Sequence, residues 1–298
     1  MSLNLEGTFT ALVTPMRDDA QRSIDWAALE NLVEQQIAGG VDGLVACGTT
    51  GETSTLTHEE YLEVVRSVVR LARGRVPVLA GSGSNDTHKT VETSKQAQGC
   101  GVDGLLVVAP YYNKPSQPGL IAHFSAVADA VSIPVVLYNI PGRCGVNILP
   151  ATTAELAKHP NIIGIKEAAG SLEQVIEIID LTGGQFAVLS GEDALCVPMY
   201  SIGGKGVISV VSGPAPTRTA ALYRDYRAGR FEAAAQGQVA LHGLIKALFS
   251  EPNPQPCKMA MHLLGVMAPA TRLPLLTCSE TVKVRLRGEM QRLGLLAE

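Results

Sequence analysis

Short runs rich in Val, Ile and Leu recur along the first three quarters of the chain: Thr8 to Thr14, Gly43 to Cys47, Val76 to Ala80, Gly104 to Ala109, Pro134 to Asn139, Ile162 to Lys166, Phe186 to Ser190 and Gly206 to Val211. They are continuously apolar rather than alternating, the pattern of parallel strands covered on both faces. Between them lie amphipathic segments of helical length, among them Trp26 to Ala38, His58 to Ala72, Leu120 to Val131 and Leu172 to Leu181. Each pair of elements takes roughly 25 to 30 residues, the spacing of βα units. Thr57, followed three residues on by Glu60, offers a capping box to the second of these helices. Such a cap marks a helix start and carries no chemistry.

Eight βα units without a linker, a low-complexity stretch or a solenoid repeat predict an α/β chain closed into a (β/α)8 TIM barrel rather than an open doubly wound sheet. Neither G-x-G-x-x-G nor G-x-x-x-x-G-K-[ST] occurs, and Gly81-Ser82-Gly83 lacks the third glycine, so no nucleotide cofactor is expected. After roughly residue 230 the pattern turns to helices only. It is broken at Glu251-Pro252-Asn253-Pro254-Gln255-Pro256, where alternating prolines predict an extended connector. The expected division is a barrel over residues 1–229 and a C-terminal helical extension over 230–298, packed on the barrel, with two or three helices from Cys257 to Glu298.

Composition narrows the function classes. A chain of 298 residues fits one large barrel or two average domains, and 46% apolar against 17% charged residues is ample for a large core. A net charge of −4 and 4% aromatics offer neither a basic face for a nucleic acid backbone nor platforms for base stacking. The six cysteines, Cys47, Cys100, Cys144, Cys196, Cys257 and Cys278, are scattered without a C-x-x-C pair. They read as reduced thiols of a cytoplasmic protein. The histidines lack i, i+4 spacing to one another or to a shared acid, so no catalytic metal is expected. Met1 to Gly7 carries Glu6 and no basic region before an apolar one, unlike a signal peptide, and no apolar run reaches the roughly 18 residues of a membrane span.

In a barrel of this kind the active site forms at the C-terminal ends of the strands. The sixth run ends in Lys166. A lysine there can snorkel to solvent. Partly desolvated, it becomes an amine nucleophile able to form a Schiff base with a carbonyl substrate. Around it the other strand ends bring Gly48-Thr49-Thr50-Gly51-Glu52, Pro110-Tyr111-Tyr112-Asn113, Tyr138-Asn139-Ile140-Pro141-Gly142-Arg143 and Ser190-Gly191-Glu192-Asp193. Tyr138 is a candidate proton shuttle for the imine chemistry. The Gly-Thr-Thr-Gly turn and Arg143 offer donors for carboxylates at the two ends of a substrate. Lys205 precedes the eighth strand and belongs to the opposite rim.

These motifs, together with Ala11-Leu12-Val13-Thr14-Pro15, Gly164-Ile165-Lys166-Glu167 and Glu251-Pro252-Asn253-Pro254, span essentially the whole chain. The chain resembles the dihydrodipicolinate synthase family, within the pyruvate-dependent Schiff-base aldolases that include N-acetylneuraminate lyase. The resemblance implies condensation of pyruvate with L-aspartate 4-semialdehyde in lysine and diaminopimelate biosynthesis. In that pattern Lys166 forms the imine, and Thr49 and Thr50 hold the pyruvate carboxylate with main chain near Gly191 and Ile208. Tyr138 relays protons through Thr49 to Tyr112 of a neighbouring subunit, and Arg143 holds the semialdehyde carboxylate. A homotetramer built as a dimer of tight dimers is implied as well.

Thr49 beside Thr50, and the arginine two places after Pro141, favour the synthase over the alternative, a pyruvate-releasing lyase of 2-keto-3-deoxy sugar acids. A silent keto-acid-binding barrel is the reading from a different class. Cys144 stands where the family usually has threonine, and Ser209-Val210-Val211-Ser212 replaces the commoner Ser-Val-Thr-Ala. A lysine effector site in the family maps to Thr53, Ser54, His58, Tyr61, Asn85, Lys89 and Tyr111. Position 89 is commonly glutamate. A cation there opposes the effector's ammonium, so weak or absent feedback inhibition by lysine is expected.

Overall fold

The computed structural model describes residues 3–297; Met1, Ser2 and Glu298, at the ends of the start segment and of the extension read from the sequence, lie outside the described residues. The strands are β1 (Gly7–Ala11), β2 (Gly43–Ala46), β3 (Val78–Gly81), β4 (Gly104–Val108), β5 (Val135–Asn139), β6 (Ile162–Glu167), β7 (Ala187–Ser190) and β8 (Gly206–Ser209). They pair in sequence order, all parallel, and β8 returns to β1 to close the barrel. The helices are α1 (Trp26–Ala38), α2 (His58–Ala72), α3 (Thr87–Gly99), α4 (Gln117–Asp129), the short α5 (Pro141–Cys144), α6 (Pro150–Leu156), α7 (Leu172–Leu181), α8 (Cys196–Ser201) and α9 (Pro216–Arg227). The extension adds α10 (Phe231–Leu248), α11 (Gln255–Leu263) and α12 (Glu280–Arg292).

Side chains alternate between two apolar layers because successive strand residues point to opposite faces. Phe9, Val45, Leu79, Leu106, Val136 and Ile208 fill the barrel interior. Their neighbours Leu44, Val78, Leu105, Val135 and Val207 join the layer between barrel and helices. Phe9 fits inside only because residue 43 is glycine, where a Cβ would stand 2.2 Å from the Phe9 ring. Leu244, Leu248, Met259, Met261, Leu286 and Met290 of the extension belong to the same outer layer, so this region packs on the barrel without a core of its own.

The expected elements form with ends shifted by up to three residues, β1 stopping at Ala11 rather than Thr14 and β3 starting at Val78 rather than Val76, and three of the shifts have a clear local cause. β8 stops at Ser209 rather than Val211, because the Val210 and Val211 N–H groups donate to the Asp193 carboxylate (3.0 and 3.4 Å) instead of to a neighbouring strand. α4 begins at Gln117 rather than Leu120, capped by Ser116 with Pro118 in its first turn. The proline-rich connector is shorter than expected. Pro256 lies in the first turn of α11, where a missing N–H costs nothing, so only residues 251–254 are non-helical. The capping box of α2 is present, with Thr57 and Glu60 exchanging bonds of 2.9 and 3.2 Å.

Candidate active site

Register brings the first two residues of the site together. Tyr138 on β5 and Lys166 on β6 are direct partners in the parallel ladder, so their side chains leave the same face, into the barrel mouth. Lys166 is only 6% exposed, and its Nζ lies 4.2 Å from the centroid of the Tyr138 ring. Burial pushes the ammonium down from its ordinary value to about 8; the nearby Asp193 and Glu192 carboxylates oppose that fall and the Arg143 guanidinium adds to it. The neutral fraction near neutral pH is thereby far larger than that of an ordinary lysine, which is what an amine nucleophile requires. Burial raises the Tyr138 phenol, against the opposing pull of Arg143 and Thr49, and keeps it a protonated donor.

Gly191 has to be glycine. A Cβ there would meet Ala168 Cβ at 2.6 Å and Lys166 Cε at 3.1 Å. Its N–H is engaged, donating to the Glu167 carbonyl at 2.7 Å. Ile208 lies on β8 among the buried residues of the barrel interior. Behind the lysine, the buried Glu167 carboxylate accepts from Asn139 Nδ2, Gln174 Nε2 (3.0 Å) and the Ala169 N–H (2.7 Å), tying the end of β6 to β5 and α7.

The threonines sit on a single 3-10 turn, Thr49–Gly51, which Thr14 holds through a 2.7 Å bond to the Gly51 carbonyl. Thr50 is buried and Thr49 is half-buried. Arg143 lies in the last turn of α5, which closes on Gly145 in the left-handed region at φ +72. Asn253 links the two carboxylate-binding candidates: its Nδ2 donates to Thr50 Oγ1 at 2.9 Å and its carbonyl accepts from Arg143 Nη2 at 3.3 Å. It is 6% exposed and its Oδ1 has no partner. In the sequence this residue belongs to the connector and to the Glu251-Pro252-Asn253-Pro254 motif, neither of which assigns it a role in the site. The available signal was an amide held between two prolines, a rigid setting that says nothing about what lies opposite it.

A cavity of ≈ 470 Å³ opens beside these groups, lined by Thr49, Tyr138, Arg143 and Cys144. It continues past Thr53, Ser54, His58, Tyr61 and Tyr111, five of the seven effector candidates. Asn85 and Lys89 do not line it. Lys89 is exposed in the first turn of α3, and the Asn85 carbonyl accepts from Asn113 at 2.8 Å. Tyr112 is not brought into the site by its own chain. It is 88% exposed, at φ +73, with its N–H donating to the Cys144 carbonyl at 3.3 Å. The Cys144 thiol is held up at about 11 by burial, so it stays protonated and inert at neutral pH.

The Dihydrodipicolinate synthetase family matches residues 4–293. The chain belongs to this family. The 4-hydroxy-tetrahydrodipicolinate synthase of Geotalea uraniireducens is 48% identical over 291 residues, covering 98% of this chain and 99% of that one. The dihydrodipicolinate synthase of Thermotoga maritima superposes with a TM-score of 0.95 at 40% identity, over 98% of this chain and 99% of that one. A dihydrodipicolinate synthase from Acinetobacter baumannii, determined in complex with pyruvate, superposes with a TM-score of 0.96 at 39% identity, over 98% and 100%. Family membership accounts for the barrel with its helical extension and for the density of polar groups at one barrel mouth. Among the described residues, no helix is long and apolar enough to cross a membrane.

Proposed function

We propose that this chain condenses pyruvate with L-aspartate 4-semialdehyde through an imine on Lys166, giving 4-hydroxy-tetrahydrodipicolinate for lysine and diaminopimelate biosynthesis. The observation that carries the assignment of the nucleophile is the buried Lys166 amine facing Tyr138 in a chain of this family. The neutral amine attacks the ketone of pyruvate, and the carbinolamine loses water to give the iminium. Loss of a methyl proton yields the enamine, whose carbon attacks the aldehyde. The amino group of the second substrate then attacks the imine carbon, closes the ring and frees Lys166. Tyr138 delivers and recovers the protons of these steps, in relay with Thr49 and with Tyr112 of a second subunit. Thr49 and Thr50 hold the pyruvate carboxylate beside the main chain of Gly191 and Ile208, and Arg143 holds the carboxylate of the semialdehyde.

The exposure of Tyr112 supports a neighbour-supplied residue. The reading therefore includes a homotetramer made of tight dimers, which sedimentation at working concentrations tests. It also includes a cytoplasmic setting and an effector site that joins the groove beyond Thr49 to Asn85 and Lys89 outside it, where the Lys89 cation leaves lysine a weak inhibitor or none. Borohydride reduction with pyruvate tests the nucleophile: wild-type protein should gain one reduced pyruvate, attached at Lys166. An unchanged intact mass would sink the imine. Turnover of pyruvate and the semialdehyde to the cyclic product tests the second substrate. Cleavage of a 2-keto-3-deoxy sugar acid without that turnover would replace the proposal with the lyase reading.

A further inference from the structure

The residue that closes the Gly-Thr-Thr-Gly turn is a buried charge. Glu52 is nearly inaccessible and lies in the left-handed region at φ +54. Two successive turns meet at it, since its N–H donates to the Thr49 carbonyl at 3.1 Å and its own carbonyl accepts from the Thr55 N–H at 3.0 Å. Its carboxylate pairs with Lys258 of α11 and accepts from the Arg272 N–H at 3.0 Å. Lys258 is 0% exposed and donates also to the Ala270 carbonyl at 2.8 Å. Neither Glu52 nor Lys258 lines the cavity.

Stability alone is a poor reason for this arrangement. Taking two charges out of water costs several kcal/mol per ion, and apolar side chains of the same volume often serve the fold as well or better. A non-glycine residue at positive φ adds strain that persists only where the surroundings impose it. What an ion pair provides and an apolar contact does not is a fixed direction. The carboxylate must meet the ammonium, so the backbone two residues after Thr50 is drawn to one place. From the same region of the extension, Asn253 bonds Thr50 itself. The threonine turn is thus fastened from below at two points by a segment some 200 residues away in sequence, |i−j| being 203 for the Asn253 bond.

We propose that the Glu52–Lys258 pair positions the hydroxyls of Thr49 and Thr50 for the pyruvate carboxylate, making the C-terminal extension part of the substrate-binding apparatus. This rests on the reading of Thr50 given above. Both are positioning residues, acting through the turn and touching no substrate.

Steady-state kinetics on the full-length protein decides it, using three variants alongside thermal melts. Glu52→Asp keeps the charge and draws the carboxylate back by one methylene. Glu52→Gln/Lys258→Met removes both charges together, so that neither is left buried and unpaired. Thr50→Val serves as the reference for the pyruvate carboxylate contact. The expected result is a pyruvate KM raised about tenfold in all three, the loss of one well-aimed hydrogen bond to a charged group, with the semialdehyde KM little changed and a fall in kcat confined to the Glu52 and Lys258 variants, which also displace Thr49 of the proton relay. If the double variant does not fold, Glu52→Asp decides alone. A lower melting temperature with an unchanged pyruvate KM would reduce the pair to a buckle between barrel and extension and overturn the proposal. Parallel rises in both KM values would do the same. Thr50→Val with a normal pyruvate KM would overturn the reading of Thr50 itself, a different failure from a normal KM in Glu52→Asp beside a raised one in Thr50→Val.

Discussion

Two lysines of this chain are buried among the described residues, and they do opposite things. Lys258 has a carboxylate, Glu52, and a carbonyl, Ala270, as partners. Lys166, with a tyrosine ring below it, has no ion pair within 4 Å and no hydrogen bond among the described residues. Burial lowers the proton affinity of both amines, but for Lys258 the Glu52 carboxylate opposes this through charge and a hydrogen bond, whereas for Lys166 the carboxylates of Asp193 and Glu192 act only at a distance. The difference teaches that burial does not by itself make a lysine reactive. A buried amine with a contacting anion is a cross-link, and one without has the lowered proton affinity that the proposed nucleophile needs.

The sharpest way to break this contrast is to remove each amine in turn. Lys166→Ala should abolish borohydride trapping and lower turnover by roughly 10⁴-fold or more while the melting temperature holds or rises. Lys258→Met should do the reverse, costing about 3–5 kcal/mol in a denaturant titration by stranding Glu52, while the protein that remains folded still traps pyruvate. Trapping lost in the Lys258 variant and kept in the Lys166 variant would invert the assignment. Tyr138→Phe keeps the ring beneath Nζ and deletes the proton relay, so kcat should fall by roughly 10²–10³-fold.

The pH dependence of imine formation is a finer probe. Trapping should rise with pH through a midpoint near the Lys166 value of about 8 and level off above it. Arg143→Gln removes a cation that pushes Lys166 down, so the midpoint should move up, and kcat/KM for the semialdehyde should drop by roughly 10- to 100-fold. A midpoint that stays put would show that Arg143 is too well screened to act on the amine. The sign for stability follows from the same shift. The folded state holds its proton less tightly than the unfolded chain, so Lys166 destabilises the fold below pH 8, and that cost fades as pH rises from about 8 toward the ordinary 10.5. The smallest effect is expected at the proposed effector site, where millimolar lysine should leave the wild type nearly uninhibited and Lys89→Glu should gain sensitivity.

Much of the fold was legible in the chain because parallel strands buried on both faces have to be continuously apolar, and eight such runs at βα spacing admit few topologies. The ends of the elements were less legible. β8 ends two residues short of its apolar run: Val210 and Val211 are as apolar as any strand residue, and only the Asp193 carboxylate, just beyond the neighbouring strand β7, removes them from the ladder. Lys166, Tyr138, the two threonines and Arg143 stood out as polar groups closing apolar runs. Asn253, Glu52 and Lys258 did not, since their partners across the boundary between barrel and extension lie 110 residues away or more and no local pattern assigns them a role.

The sequence by itself determined the strand count and the barrel, and pointed to the strand ends and to Lys166 as the proposed nucleophile. All of these follow from periodicity and from the cost of burying charge, which act over a few residues at a time. Only the tertiary structure decided which buried lysine is paired and which is free, that Asn253 spans Thr50 and Arg143, and that Tyr112 faces away from its own site. Those are statements about partners, and a side chain's partner is set by how the closed barrel and its extension bring distant segments to within 3 Å, not by the residues beside it.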